Sequence, residues 1–149
     1  LEKRRIRKEF VTNVKVPIEY YNRIKDGEGY IDEEGNMYPN HLITDDPPAV
    51  KSYAYCTDTA YHEPIIPIIK NCDLLYHEAT FMEDKAADAR AKFHSTAREA
   101  ATIAKKAGVK KLVIGHFSAR YKEVESLLAE AKEVFPETIL GQDGMTIQV

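Results

Sequence analysis

From residue 52 onward the apolar positions fall into a repeating rhythm of short strands and amphipathic helices. Residues 52–56 (Ser-Tyr-Ala-Tyr-Cys) predict a strand, and residues 63–71, rich in Ile and Pro, predict a short helix. Residues 73–77 predict a second strand and 86–92 another short helix. Thr96-Ala97-Arg98-Glu99 has the form of a capping box, in which the Thr hydroxyl and the Glu carboxylate satisfy each other's orphan amides. It opens an Ala-rich helix that carries Lys105 and Lys106 in its last turn and stops at Gly108. Lys111-Leu112-Val113-Ile114-Gly115 predicts a strand buried on both faces, because its apolar run is almost unbroken. Val124, Leu127, Leu128, Ala131, Val134 and Phe135 recur at helical spacing and mark a core-facing stripe, ended by Pro136. Residues 138–140 and 145–149 predict closing strands around Gly141 and Gly144. This alternation predicts an α/β layered fold.

The first fifty residues are less regular. Residues 6–16 predict an extended segment, and Pro17 opens a short helix running to residue 25. Glu33-Glu34-Gly35-Asn36 predicts a hairpin turn, and Asp45-Asp46-Pro47-Pro48 a loop. No internal repeat or low-complexity tract interrupts the chain.

Composition narrows the class. With 149 residues, 44% hydrophobic and 30% charged, the chain fits a water-soluble globular domain. Its 21 basic and 24 acidic residues give a net charge of −3, which excludes a histone-like protein held to nucleic acid by global charge but not a local basic patch. Cys56 and Cys72 are too few for a disulfide framework and lack zinc-ribbon spacing, so both are expected to be reduced thiols. No apolar run approaches the ~18 residues that span a bilayer. The basic start, Lys3-Arg4-Arg5, has no apolar stretch after it and is not read as a signal peptide, so a cytoplasmic location is expected. Leu1 is not an initiator methionine, and the chain is expected to be part of a longer protein.

Three ionisable residues follow three predicted strands: Asp58, Glu78 and His116. In α/β sheets, ligands bind beyond the carboxyl ends of strands, where such residues converge. Asp and His suit zinc or manganese. Taken singly, an Asp after a strand serves as a turn residue or helix cap, and a lone His as a hydrogen-bonded structural group. The coincidence of three points to a site. Strand parity separates His77 from Glu78, since consecutive side chains face opposite ways; Glu78 is assigned to chemistry and His77 to a structural or supporting role.

Four strings carry a resemblance: Tyr55-Cys56-Thr57-Asp58-Thr59, Leu74-Leu75-Tyr76-His77-Glu78-Ala79-Thr80-Phe81, Phe93-His94-Ser95-Thr96, and Gly115-His116-Phe117-Ser118-Ala119-Arg120-Tyr121. In this order they resemble the ribonuclease Z branch of the metallo-β-lactamase superfamily, from about residue 50 to the end of the chain. The resemblance implies the C-terminal half of an αβ/βα sandwich, a mixed sheet with flanking helices, preceded by an irregular segment with a hairpin over residues 1–49. It implies an enzyme that removes the 3′ trailer of precursor tRNA with two zinc ions. Asp58 matches the aspartate that bridges the two metals, and His116 the last histidine ligand of one of them. Glu78 and His94 match a pair that moves a proton to the leaving group, and Ser118 and Arg120 a segment that contacts substrate phosphate. Cys56-Thr57 stands where Ser-Gly is commoner in the family. The family's His-x-His-x-Asp-His motif does not occur here, and His41, His62 and His77 are too isolated to replace it. The chain is therefore expected to carry only part of the active site, to be inactive alone, and to self-associate as a homodimer through an uncovered sheet face. A small-phosphodiester hydrolase of the same superfamily, or a non-catalytic binding or assembly module, are the alternatives.

Overall fold

In a computed structural model, which describes residues 2–149, the strand–helix rhythm becomes a four-stranded sheet whose strands neighbour one another in chain order. The chain divides into two compact units, Leu1–Val50 and Lys51–Val149.

The first unit is built from short elements: β1 (Arg5–Ile6), α1 (Lys8–Val14), α2 (Tyr21–Lys25), β2 (Tyr30–Ile31), β3 (Met37–Tyr38), α3 (Asn40–Ile43) and β4 (Thr44–Asp45). β1 pairs antiparallel with β4, and β2 with β3. The hairpin turn falls where Glu33-Glu34-Gly35-Asn36 predicts it. Asp32 organises it by accepting the backbone N–H groups of Glu34 and Asn36, the Asn36 amide and the Tyr38 hydroxyl. Phe10, Val16, Ile24, Tyr30 and Ile43 form the unit's core. The expected extended segment over residues 6–16 is instead largely the helix α1. Phe10 and Val14, one turn apart, both pack on that core, a helical spacing masked by the β-branched residues around them.

The second unit contains β5 (Tyr53–Cys56), β6 (Leu74–Glu78), α4 (Ala86–Ala91), α5 (Ala97–Ala107), β7 (Leu112–Gly115), α6 (Glu125–Val134) and β8 (Thr138–Leu140). All four strands run parallel, rather than as a mixed sheet. The register pairs Leu75 with Leu112 and His77 with Ile114, so these side chains share one face. Leu75, Leu112 and Ile114 form one buried cluster with residues of α5 and α6. Five alanines of α5 are essentially inaccessible, and their small size lets the helix lie close to the sheet and to α6. The Thr96–Glu99 capping box and Gly108, in the left-handed region at φ 65°, bound α5 as the sequence predicts. The helix expected over 63–71 shrinks to one 3₁₀ turn, Glu63–Ile65, because Pro64 and Pro67 lack the N–H groups a longer helix needs.

Tyr53, Tyr55, Tyr76 and Val113 lie on the other face. Tyr76 stacks on Tyr55 with centroids 4.6 Å apart and lies over Gly115, where a Cβ would come within 2.9 Å of its ring carbons. Val113 is buried, but Tyr53 and Tyr55 are 56% and 60% exposed, so the β5 side of this face is open. The strand expected over 145–149 does not form. Ile147 and Met145 instead line a cavity of about 610 Å³ with Tyr76 and Val113. An alternating pattern alone makes no strand when no neighbouring edge pairs with it.

Candidate active site

Parallel strands carry the polar residues to one edge. Glu78 is the last residue of β6, Asp58 lies two residues beyond β5, and His116 immediately follows β7. His94 lies on the loop between α4 and α5. Asp58 and His116 both occupy the left-handed region, at φ 49° and 60°. That conformation is uncommon outside glycine and persists where surrounding structure enforces it.

Glu78 is fully buried and is the hub. Its carboxylate accepts the Thr59 N–H at 2.6 Å, the Ser95 N–H at 3.0 Å and the Thr80 hydroxyl at 2.6 Å. His94 Nδ1 completes the set at 2.9 Å. Burial alone would raise the carboxyl's pKa. The donors from Thr80, His94, Ser95 and Thr59 outweigh it and hold the group below its usual value, so Glu78 is a buried anion.

His116 Nε2 stands 3.4 Å from Asp58 Oδ1, and the His94 and His116 rings are 5.2 Å apart. One ligand atom from each of Asp58, His94 and His116 lies within 4.8 Å of the others. The Nδ1 atoms of both histidines are engaged, by Glu78 and by Thr80, which leaves both Nε2 atoms for the site. The Asp58 carboxylate and the His116 imidazole, its outer nitrogen engaged, are donors suited to a divalent metal ion, with His94 beside them.

Ser118 and Arg120 follow His116 on the same loop. The Ser118 N–H donates to the Thr80 carbonyl at 3.1 Å. The Arg120 guanidinium lies over the Phe81 ring, 4.8 Å from its centroid, and pairs with Asp88 at 3.3 Å. Phe81 is itself 6.2 Å from His94, which places Arg120 at the margin of the site. His77 faces away from Glu78, as strand parity requires. It is buried, donates from Nδ1 to the Glu78 carbonyl at 2.8 Å, and leaves Nε2 without a partner among the described residues. Burial pushes its pKa down, so it is neutral.

Sequence reasoning missed the residues that hold this cluster: Thr59, Thr80, Ser95 and Phe81. Thr80 was the most accessible of them, because it stands two positions after Glu78.

A family model described as a β-lactamase superfamily domain matches residues 43–117, half of the chain. Ribonuclease Z of Parabacteroides distasonis is 52% identical over 142 residues, covering 95% of this chain and 47% of the relative. Ribonuclease Z of Bacteroides thetaiotaomicron is 45% identical, covering 95% and 45%. The chain thus spans about half the length of the curated relatives it matches. Among solved structures, the metallo-β-lactamase fold protein YhfI of Bacillus subtilis superposes with a TM-score of 0.60 at 30% identity, covering 66% of this chain and 40% of that one.

Proposed function

The chain belongs to the β-lactamase superfamily, and on that footing we propose that it carries the C-terminal part of the active site of a zinc-dependent endoribonuclease that removes the 3′ trailer of precursor tRNA. The observation that carries this reading is a buried carboxylate–histidine pair, Glu78–His94, set beside the Asp58–His116 pair.

Asp58 and His116 would hold zinc together with ligands from outside this chain. When bound, the metal supplies a water ionised near neutral pH and offsets charge on the phosphoryl oxygens. His94 donates a proton to the leaving ribose oxygen. Its Nδ1–H is held by the ionised Glu78, which fixes the ring and leaves Nε2 facing outward. Glu78 can stay ionised without water because four donors replace its hydration. Ser118 and Arg120 contact substrate phosphate. Arg120 offers a planar set of donors lying over the Phe81 ring, and a phosphate would compete with Asp88 for them.

The substrate is precursor tRNA and the setting the cytoplasm. No helix among the described residues is long and apolar enough to cross a membrane. Cleavage of precursor tRNA and of cyclic nucleotides by the full-length protein tests the reading. Trailer removal with little hydrolysis of cyclic nucleotides supports it. The reverse preference would assign the site to small phosphodiesters, and no hydrolysis of either would leave a non-catalytic module.

A further inference from the structure

We propose that Thr80 is a positioning residue that holds His116 in its Nδ1–H tautomer and ties it, through Glu78, to His94. The proposal rests on reading His116 as a metal ligand, because its consequence is an Nε2 lone pair presented to the site.

Thr80 is buried, and three atoms crowd its hydroxyl. Glu78 Oε2 lies at 2.6 Å, and the carbonyl oxygen and Nδ1 of His116 each at 2.9 Å. A hydroxyl has one proton and two lone pairs. The carboxylate and the carbonyl can only accept, so they compete for that proton. Glu78 prevails because it is charged, closer and fully buried, and 2.6 Å is the distance of a charge-assisted O–H···O⁻ bond, roughly twice as strong as a neutral one. With its proton committed, Thr80 meets His116 Nδ1 only through a lone pair. Nδ1 must then carry hydrogen, and Nε2 is the bare nitrogen that faces Asp58 Oδ1 at 3.4 Å.

The opposite tautomer, with Nε2–H donated to Asp58, is costly. Either Thr80 Oγ1 and Nδ1 would oppose lone pairs at 2.9 Å, or Thr80 would turn its proton to Nδ1 and deprive a buried carboxylate of a donor. Thr80 also holds the loop by its main chain, since its carbonyl accepts the Ser118 N–H. It thus braces His116 from two sides in a backbone region that needs bracing. The result is one chain of bonds: His116 Nδ1–H to Thr80, Thr80 O–H to Glu78, and His94 Nδ1–H to Glu78. Both histidines are thereby oriented by one buried carboxylate.

Nitrogen-15 NMR of the imidazoles in the metal-free 149-residue chain, at a pH where they are neutral, tests this. His116 in the wild type and in Thr80→Ser is expected to show a protonated Nδ1 and a bare Nε2. Thr80→Val is expected to shift the population toward protonated Nε2 and to weaken zinc binding, titrated on the same samples, by about 10- to 100-fold. A wild-type spectrum with Nε2 protonated overturns the proposal, and so does a folded valine variant with an unchanged tautomer. The wild-type spectrum is decisive even if the valine variant folds poorly. If zinc added to the full-length protein moves no His116 resonance while the tautomer in the 149-residue chain still follows residue 80, the metal reading fails and the positioning role stands.

Discussion

Glu78 and His94 meet at 2.9 Å, the carboxylate with no solvent exposure and the imidazole with its outer edge reaching the surface of the site. The pair joins a strand end to a loop sixteen residues later, and it turns the other imidazole nitrogen toward the site.

Replacing His94 by Ala in the full-length enzyme is expected to lower kcat by roughly 10²- to 10⁴-fold, the range for losing a general acid. Affinity for precursor tRNA should change little, because His94 carries no phosphate contact in this reading. Glu78→Gln should lower kcat as well, because the imidazole loses the charged acceptor that orients it. Steady-state kinetics with a separate binding assay checks both. Normal turnover in the alanine variant removes His94 from the mechanism.

His77 gives a pH prediction. Its pKa in the folded chain is depressed by burial, while in the unfolded chain it returns to its usual value near 6.5. Below that value the unfolded state binds more protons, so stability is present above about pH 6.5 and is lost as pH falls toward the depressed folded value. Glu78, also depressed, adds a further loss only below the ordinary carboxylate range. Urea unfolding between pH 8 and 5 should therefore show a declining midpoint in the wild type. His77→Phe should flatten that decline, and an equally steep one would mean that another group is responsible.

Gly115 is expected to be intolerant of a side chain. A Cβ there meets the Tyr76 ring, which is itself stacked on Tyr55 and cannot swing away without losing that contact. Gly115→Ala should destabilise the second unit by about 1–3 kcal/mol, as overpacking typically does. Tyr76→Ala in the same background should relieve part of the clash. Additive losses in the double variant would show that the two residues do not compete for space.

Legibility in the sequence followed the range of the interactions. The Thr96–Glu99 capping box, the stop at Gly108 and the buried strand Leu112–Gly115 depend on residues within a few positions of each other, and they form as the pattern predicts. The opposed roles of His77 and Glu78 came from strand parity alone. The proposed metal and proton-transfer roles needed the resemblance, since spacing brings Asp58, Glu78 and His116 only to neighbouring strand ends. The backbone donors to Glu78 were not legible: Thr59 is nineteen residues before it and Ser95 seventeen after, and only the fold unites them. The helix α1 was missed because its β-branched residues suit a strand and only Phe10 and Val14 betray the helical face.

The last expectation concerns assembly. Helices α5 and α6 bury one face of the sheet, whereas the other face carries Tyr53 and Tyr55 more than half exposed on an edge strand. Tyr76, Val113 and the residues around Ile147 cover the β7 side of that face, so the open area is narrower than a bare sheet would present. Exposed aromatics in a row beside unpaired strand edges favour association, either face to face or by strand addition. The 149-residue chain is therefore expected to self-associate at micromolar concentration. Sedimentation velocity across a concentration series measures it directly. Tyr53→Lys with Tyr55→Lys should shift the chain toward monomer while leaving its circular dichroism unchanged, because neither ring belongs to the buried cluster. A wild-type chain that stays monomeric throughout the series would show that Tyr76 and the C-terminal residues already cover enough of the face.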